Sequence, residues 1–118
     1  MDQSIRTINS TRSCWTTDDV RNKIEKSKVV VFSKGTPDHP RCGFTERVFM
    51  AIQRSGRPYE VIDCYEDRSI VAALKAYSGE QHLPMVYVNG ELISSSDNQA
   101  EVLHNGELDA KVKEAFKQ

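Results

Sequence analysis

Residues 28–56, "KVVVFSKGTPDHPRCGFTERVFMAIQRSG", run from a wholly apolar stretch through a loop with two prolines into a segment of helical period. "KVVVFS" is a short continuous apolar run, the pattern of a central strand buried on both faces. After the loop, Phe44, Val48, Ala51 and Ile52 recur at helical spacing until Gly56, a natural residue to follow a helix end. A helix therefore begins close to Cys42. Thr45 stands where a redox enzyme often carries a second cysteine, which raises the question of what a single thiol does here.

The flanks extend this strand-loop-helix unit into a fold. On the N-terminal side Thr16 is a good N-cap, Asp19 follows three residues on, and Trp15 and Val20 can close a hydrophobic staple, predicting a helix over about 17–27. On the C-terminal side "PYEVIDC" reads as the next strand, and Ile70, Ala73, Leu74 and Tyr77 mark a helix that stops near Gly79. In "PMVYVNGELIS", Asn89 and Gly90 tolerate the positive φ of a tight turn between two strands. Two short helices close the chain, broken at Asn105 and Gly106, with Leu108, Val112 and Phe116 as the buried face of the last. A helical crossover makes the first two strands parallel, and the hairpin supplies the antiparallel pair. The expected fold is α/β and thioredoxin-like, a central four-stranded mixed sheet flanked by helices. It occupies residues 16–118, behind a flexible N-terminal tail over 1–15.

Composition narrows the function classes. A chain of 118 residues with 38% apolar and 28% charged residues is an ordinary single globular domain. A formal net charge of −1 without a basic block excludes the footprint of a nucleic-acid binder. No apolar run approaches the roughly 20 residues that span a bilayer, so no membrane partner is expected. Three cysteines, Cys14, Cys42 and Cys64, are an odd number without a close pair, against both a disulfide framework and an intrachain zinc site. The first residues, rich in Ser, Thr and Arg, read as a plain tail; the alternative is the remnant of an organelle-targeting leader, with Asp2 weighing against it.

A sulfur at a helix N-terminus faces unpaired backbone N–H groups and the positive end of the helix dipole, and both favour thiolate over thiol. Lys34 and Arg41 add positive charge nearby in sequence. Cys42 is accordingly the reactive thiol, whereas Cys64, at the end of an apolar strand, reads as a buried structural one and Cys14 as an incidental tail residue. A threonine hydroxyl at 45 cannot resolve a mixed disulfide, which closes intramolecular turnover. Two routes stay open for Cys42: exchange with a small external thiol, or metal ligation. The histidines His39, His82 and His104 have no spacing that pairs them with Cys42 and read as loop or surface residues.

"KGTPDHPRCGFT", with the downstream "LPMVYVNGELI" and "HNGEL", resembles the monothiol glutaredoxins over roughly residues 17–116. The resemblance implies a [2Fe–2S] cluster held between two protomers by Cys42 of each and two glutathione thiols, then passed to acceptor proteins. The apo form would be monomeric. In the implied glutathione site Lys34 meets the glycyl carboxylate, Cys42 the sulfur, Leu83 and a cis Pro84 the peptide backbone, and Asp97 the γ-glutamyl amino group, with Lys75 close to the glycyl end and Phe44 shielding the cluster or packing on a neighbouring helix. The alternative is a glutathione-dependent thiol–disulfide oxidoreductase, weak at most, that deglutathionylates proteins with Cys42 as nucleophile. A third is an interaction domain that has lost both activities. Small members of the family are often mitochondrial, which sets that expectation, the cytoplasm being the alternative.

Several positions depart from the family pattern. Glu80, Gln81 and His82 stand where similar proteins have Trp-Pro-Thr, Ser94 and Ser95 replace a Gly-Gly pair, and Val71 replaces an arginine while Lys75 remains. Together they remove an aromatic wall, add bulk beside the γ-glutamyl pocket and subtract a positive charge. One reading of the lost charge is a native thiol whose glycyl carboxylate is masked, for instance a glutathione conjugate amidated to a polyamine.

Overall fold

The computed structural model describes residues 5–8 (backbone only), 14–65, 67–95 and 98–117. In chain order the elements are β1 (Ile5–Ile8), α1 (Thr17–Lys26), β2 (Val29–Ser33), α2 (Gly43–Ser55), β3 (Tyr59–Asp63), α3 (Arg68–Ser78), β4 (Met85–Val88), β5 (Glu91–Ser94), α4 (Gln99–His104) and α5 (Glu107–Ala115). The strands form one sheet in the order β1-β3-β2-β4-β5. The β2–β3 pair is parallel, as a helical crossover requires, and β2–β4 and β4–β5 are antiparallel. The thioredoxin-like mixed sheet flanked by helices is thus the observed architecture.

One expectation needs correcting. The sheet has a fifth strand, β1, which pairs in parallel with β3 in the register Ile5 to Tyr59 through Ile8 to Ile62, inside the segment expected to be a free tail. Four residues flanked by polar ones carry too little period to announce themselves; what recruits them is the open edge of β3, a row of backbone groups that otherwise lacks partners. The core also starts earlier than residue 16, since Trp15 is buried and its backbone N–H donates to Ser69 Oγ at 3.1 Å.

Alternation along β2 builds two cores. Val29 and Val31 face α2, α4 and α5 together with Val48, Ile52, Val102, Leu108 and Val112, while Val30 and Phe32 face α1 and α3 together with Trp15, Val20, Ile24, Ile70 and Leu74. The strand is buried at every position. Local signals close the helices as their sequence suggests. Thr16 and Asp19 form a reciprocal capping box, and Gly56 and Gly79 end α2 and α3 in the left-handed region. Among the described residues no helix is long and apolar enough to cross a membrane.

Candidate functional site

The carboxyl ends of β2 and β3 and the start of α2 converge on one edge of the sheet, where an open parallel sheet commonly offers a crevice. The loop from Lys34 to Arg41 is a tight hairpin. Arg41 N–H donates to Lys34 O at 2.8 Å, Thr36 and His39 exchange backbone bonds of 3.3 and 3.1 Å, and Gly35 bridges Pro40. Gly35 has φ +97°, and a Cβ there would lie 2.3 Å from His39 O and 2.9 Å from Arg41 N, so only glycine fits the crossing. One Asp63 oxygen accepts from Gly35 N–H at 3.0 Å and from Tyr65 N–H at 2.9 Å, tying the loop to the end of β3.

Cys42 is the N-cap of α2 with extended backbone, φ −157° and ψ 158°. Thr45 N–H donates to its sulfur at 3.4 Å, the capping bond that serine or aspartate oxygen usually accepts. The Cys42 thiol donates to Thr45 Oγ1 at 3.2 Å, and the same oxygen accepts from Lys34 N–H at 3.3 Å. Thr45 is fully buried. Because Lys34 already donates to this hydroxyl, its own proton is free to turn toward sulfur once Cys42 ionises. A thiolate here then accepts from both the backbone and the side chain of Thr45.

A cavity of about 340 Å³ opens beside this corner, lined by Lys34, Cys64, Tyr65, Val71, Lys75, Gln81, His82 and Leu83. Two lysines stand on its walls, and no carboxylate does among the described residues. Of the expected site residues, Lys34, Lys75 and Leu83 come together in the cavity. Cys42 stands outside its lining and is joined to Lys34 through Thr45. Leu83–Pro84 is a cis peptide, as expected, and Pro84 is buried. Phe44 exposes about a third of its surface and lies under the Arg47 guanidinium, 5.7 Å from ring centroid to carbon. Asp97 lies outside the described residues; the N-cap of α4 is Asn98.

The divergent positions sort differently from their order in sequence. Gln81 and His82 line the cavity, but Glu80 does not. Burial and then Tyr77 push the Tyr87 phenol up to about 12, with Glu80 adding to the rise and a Ser78 hydrogen bond opposing it. Ser94 is buried, and its hydroxyl has no hydrogen-bond partner among the described residues. Two contributors escaped the sequence reading: Tyr65, an exposed aromatic just past a parallel strand end, and Asp63, whose place before the turn is the usual signal for a side chain that bonds backbone N–H groups.

The three cysteines occupy three environments. Cys14 is exposed, Cys42 half-buried and Cys64 buried. Burial pushes the Cys64 thiol far up, the Asp63 and Asp67 carboxylates add to that, and a hydrogen bond with the Ser33 backbone opposes it. The thiol beside the cavity is therefore held neutral, so Cys64 offers no competing nucleophile.

Among known families, the chain matches the model described as "Glutaredoxin" over residues 29–93. It is 41% identical over 85 residues to an uncharacterized monothiol glutaredoxin of Synechocystis, an alignment covering 72% of this chain and 79% of that one. The solution structure of reduced apo GrxS14 from poplar superposes with a TM-score of 0.68 at 31% identity, covering 86% of this chain and 93% of the other. A buckwheat glutaredoxin–glutathione complex gives a TM-score of 0.67 at 25% identity, covering 84% and 88%.

Two outcomes test this geometry. Gly35→Ala should destabilise the protein by more than about 2 kcal/mol in urea titration, since it adds a backbone clash to an unfavourable φ. Cys64 generates a pH dependence: above about pH 8.5 the unfolded thiol loses its proton while the folded one keeps it, so stability falls as pH rises. Between pH 9 and 10 the native protein should lose about 1 kcal/mol more than Cys64→Val, read from urea midpoints at each pH.

Proposed function

This chain belongs to the monothiol glutaredoxin family, and from that premise we propose that it binds a [2Fe–2S] cluster with glutathione and passes it to acceptor proteins. The observation that carries the reading is the pairing of Cys42 with a buried Thr45 hydroxyl in place of a second thiol. A thiolate capped in this way can bond to sulfur or metal but has no partner three residues on to release it. Whatever it holds must be completed and removed from outside the chain.

Ligand counting points the same way. A [2Fe–2S] cluster takes four thiolates, and among the described residues no three His, Cys, Asp or Glu side chains group together. The active-site corner of one chain offers Cys42 alone, and by its resemblance to the family a second copy and two glutathione thiols would complete the set. The exposed Phe44 beside Cys42 gives such a bridge an apolar margin. Thiolates supplied by small molecules leave easily, which suits a cluster carried as cargo.

Glutathione fits the adjoining cavity by charge. Lys34 and Lys75 offer two cations to its glycyl carboxylate. An amide to a polyamine would instead set positive charge against both lysines, so the cavity favours the free carboxylate over the conjugate, despite Val71. The same thiolate supports the deglutathionylation reading: Cys42 attacks the glutathione sulfur of a mixed disulfide, the protein thiolate leaves, and a second glutathione thiolate displaces Cys42 to give glutathione disulfide. Both electron pairs are accounted for, and both steps use Cys42 only.

Anaerobic reconstitution with iron, sulfide and glutathione separates these chemistries. The native protein should turn into a coloured species eluting as a dimer, dependent on glutathione and abolished in Cys42→Ser. A colour that survives Cys42→Ser, or a coloured monomer, would overturn the carrier reading; failure to take up any cluster would leave disulfide exchange as the function.

A further inference from the structure

Tyr65 follows the carboxyl end of β3 and leaves 52% of its surface to solvent, although the strand before it is buried. Its position is nonetheless fixed, because its N–H is held by the Asp63 oxygen that also holds Gly35. The ring lines the cavity with Lys34, Val71 and Lys75. Over that ring lies the guanidinium of Arg41, its carbon 5.0 Å from the centroid. Arg41 immediately precedes Cys42 and is anchored through its own N–H to Lys34 O.

An arginine on a loop normally samples many rotamers, so its charge is spread over a wide volume. Stacking on an aromatic face restricts it, and the geometry has a useful consequence: the ring occupies the face of the guanidinium, while the N–H donors project from its edge. A guanidinium held by its face keeps its fork free for a carboxylate. Here the ring that does the holding is itself a cavity wall.

We propose that Tyr65 is a positioning residue for Arg41, holding its guanidinium at the cavity mouth as a third cation, beside Lys34 and Lys75, for the carboxylate of the thiol that bonds to Cys42. This rests on the glutathione reading above. The step it assists is thiol–disulfide exchange: the Cys42 thiolate attacks one sulfur of glutathione disulfide, the Cys42–glutathione bond forms as the old S–S bond breaks, and the second glutathione leaves as thiolate.

The test is the equilibrium constant for that exchange in the full chain, from peptide-level mass spectrometry of Cys42 across a series of glutathione to glutathione disulfide ratios. Arg41→Gln and Tyr65→Leu should each lower it about threefold to fivefold, the size expected of one exposed cation–π contact, and Tyr65→Phe should stay within about twofold. The double variant should fall no further than Arg41→Gln alone, with thermal midpoints unchanged. A second readout needs no glutathione: the ratio of iodoacetate to iodoacetamide labelling rates at Cys42 reports nearby positive charge, and should drop in both single variants. Multiplicative losses in the double variant, or a labelling ratio indifferent to Tyr65→Leu, would overturn the positioning role. Native protein that takes up no glutathione, with the labelling ratio still responding, would overturn the ligand and with it the glutathione reading.

Discussion

The buried hydroxyl of Thr45 is the contact on which the reactive end of this molecule depends. It accepts from Lys34 N–H at the end of β2 and from the Cys42 thiol at the start of α2, so a single oxygen closes the loop between strand and helix. The sulfur cap, the hairpin from Lys34 to Arg41 and the Gly35 crossing are all arranged around it. A thiol at this position would give the helix a second redox group; a hydroxyl can only exchange hydrogen bonds. Thr45 therefore offers Cys42 no second thiol within this motif, which is the ground for the external thiol in the proposed function.

Electrostatics then separates two thiols that lie at the same end of the sheet. Cys42 is half-buried at a helix start, where its sulfur accepts from the Thr45 N–H. Cys64 is buried against Asp63 and Asp67 and keeps its proton. The cavity that Cys64 lines carries lysines from β2's end and from α3, a charge that suits the carboxylate of the proposed glutathione. Asp63 serves both sides: its charge adds to the burial that holds Cys64 neutral, and its oxygen fixes the loop that carries Lys34.

Much of this was legible in the sequence because the decisive signals are local. The continuous apolar run of β2, the Asn89-Gly90 turn and the glycines after α2 and α3 each act through backbone conformation or burial that few residues determine. The edge strand β1 was not, since its pairing partner is more than fifty residues away and its own pattern is four residues long. In the site, Cys42 follows from its place at a helix start, whereas Lys34, Lys75 and Leu83, which line the cavity, were expected from the family resemblance. Thr45 is visible in the sequence only as a missing cysteine; its role as a bridge requires knowing that Lys34 N–H points at it. Tyr65 and Glu80 show the same limit, because proximity to the cavity depends on how a strand end and a helix end pack: one lines the cavity and the other adds to the perturbation of Tyr87.

The most direct measurement is the rate at which Cys42 reacts with iodoacetamide in native protein, Thr45→Ser and Thr45→Val at pH 7, followed on the Cys42 peptide. If the hydroxyl stabilises the thiolate by one hydrogen bond, Thr45→Val should react about fivefold more slowly while Thr45→Ser stays near the native rate. Equal rates in Thr45→Val and the native protein, with both equally folded, would contradict the role given to this contact.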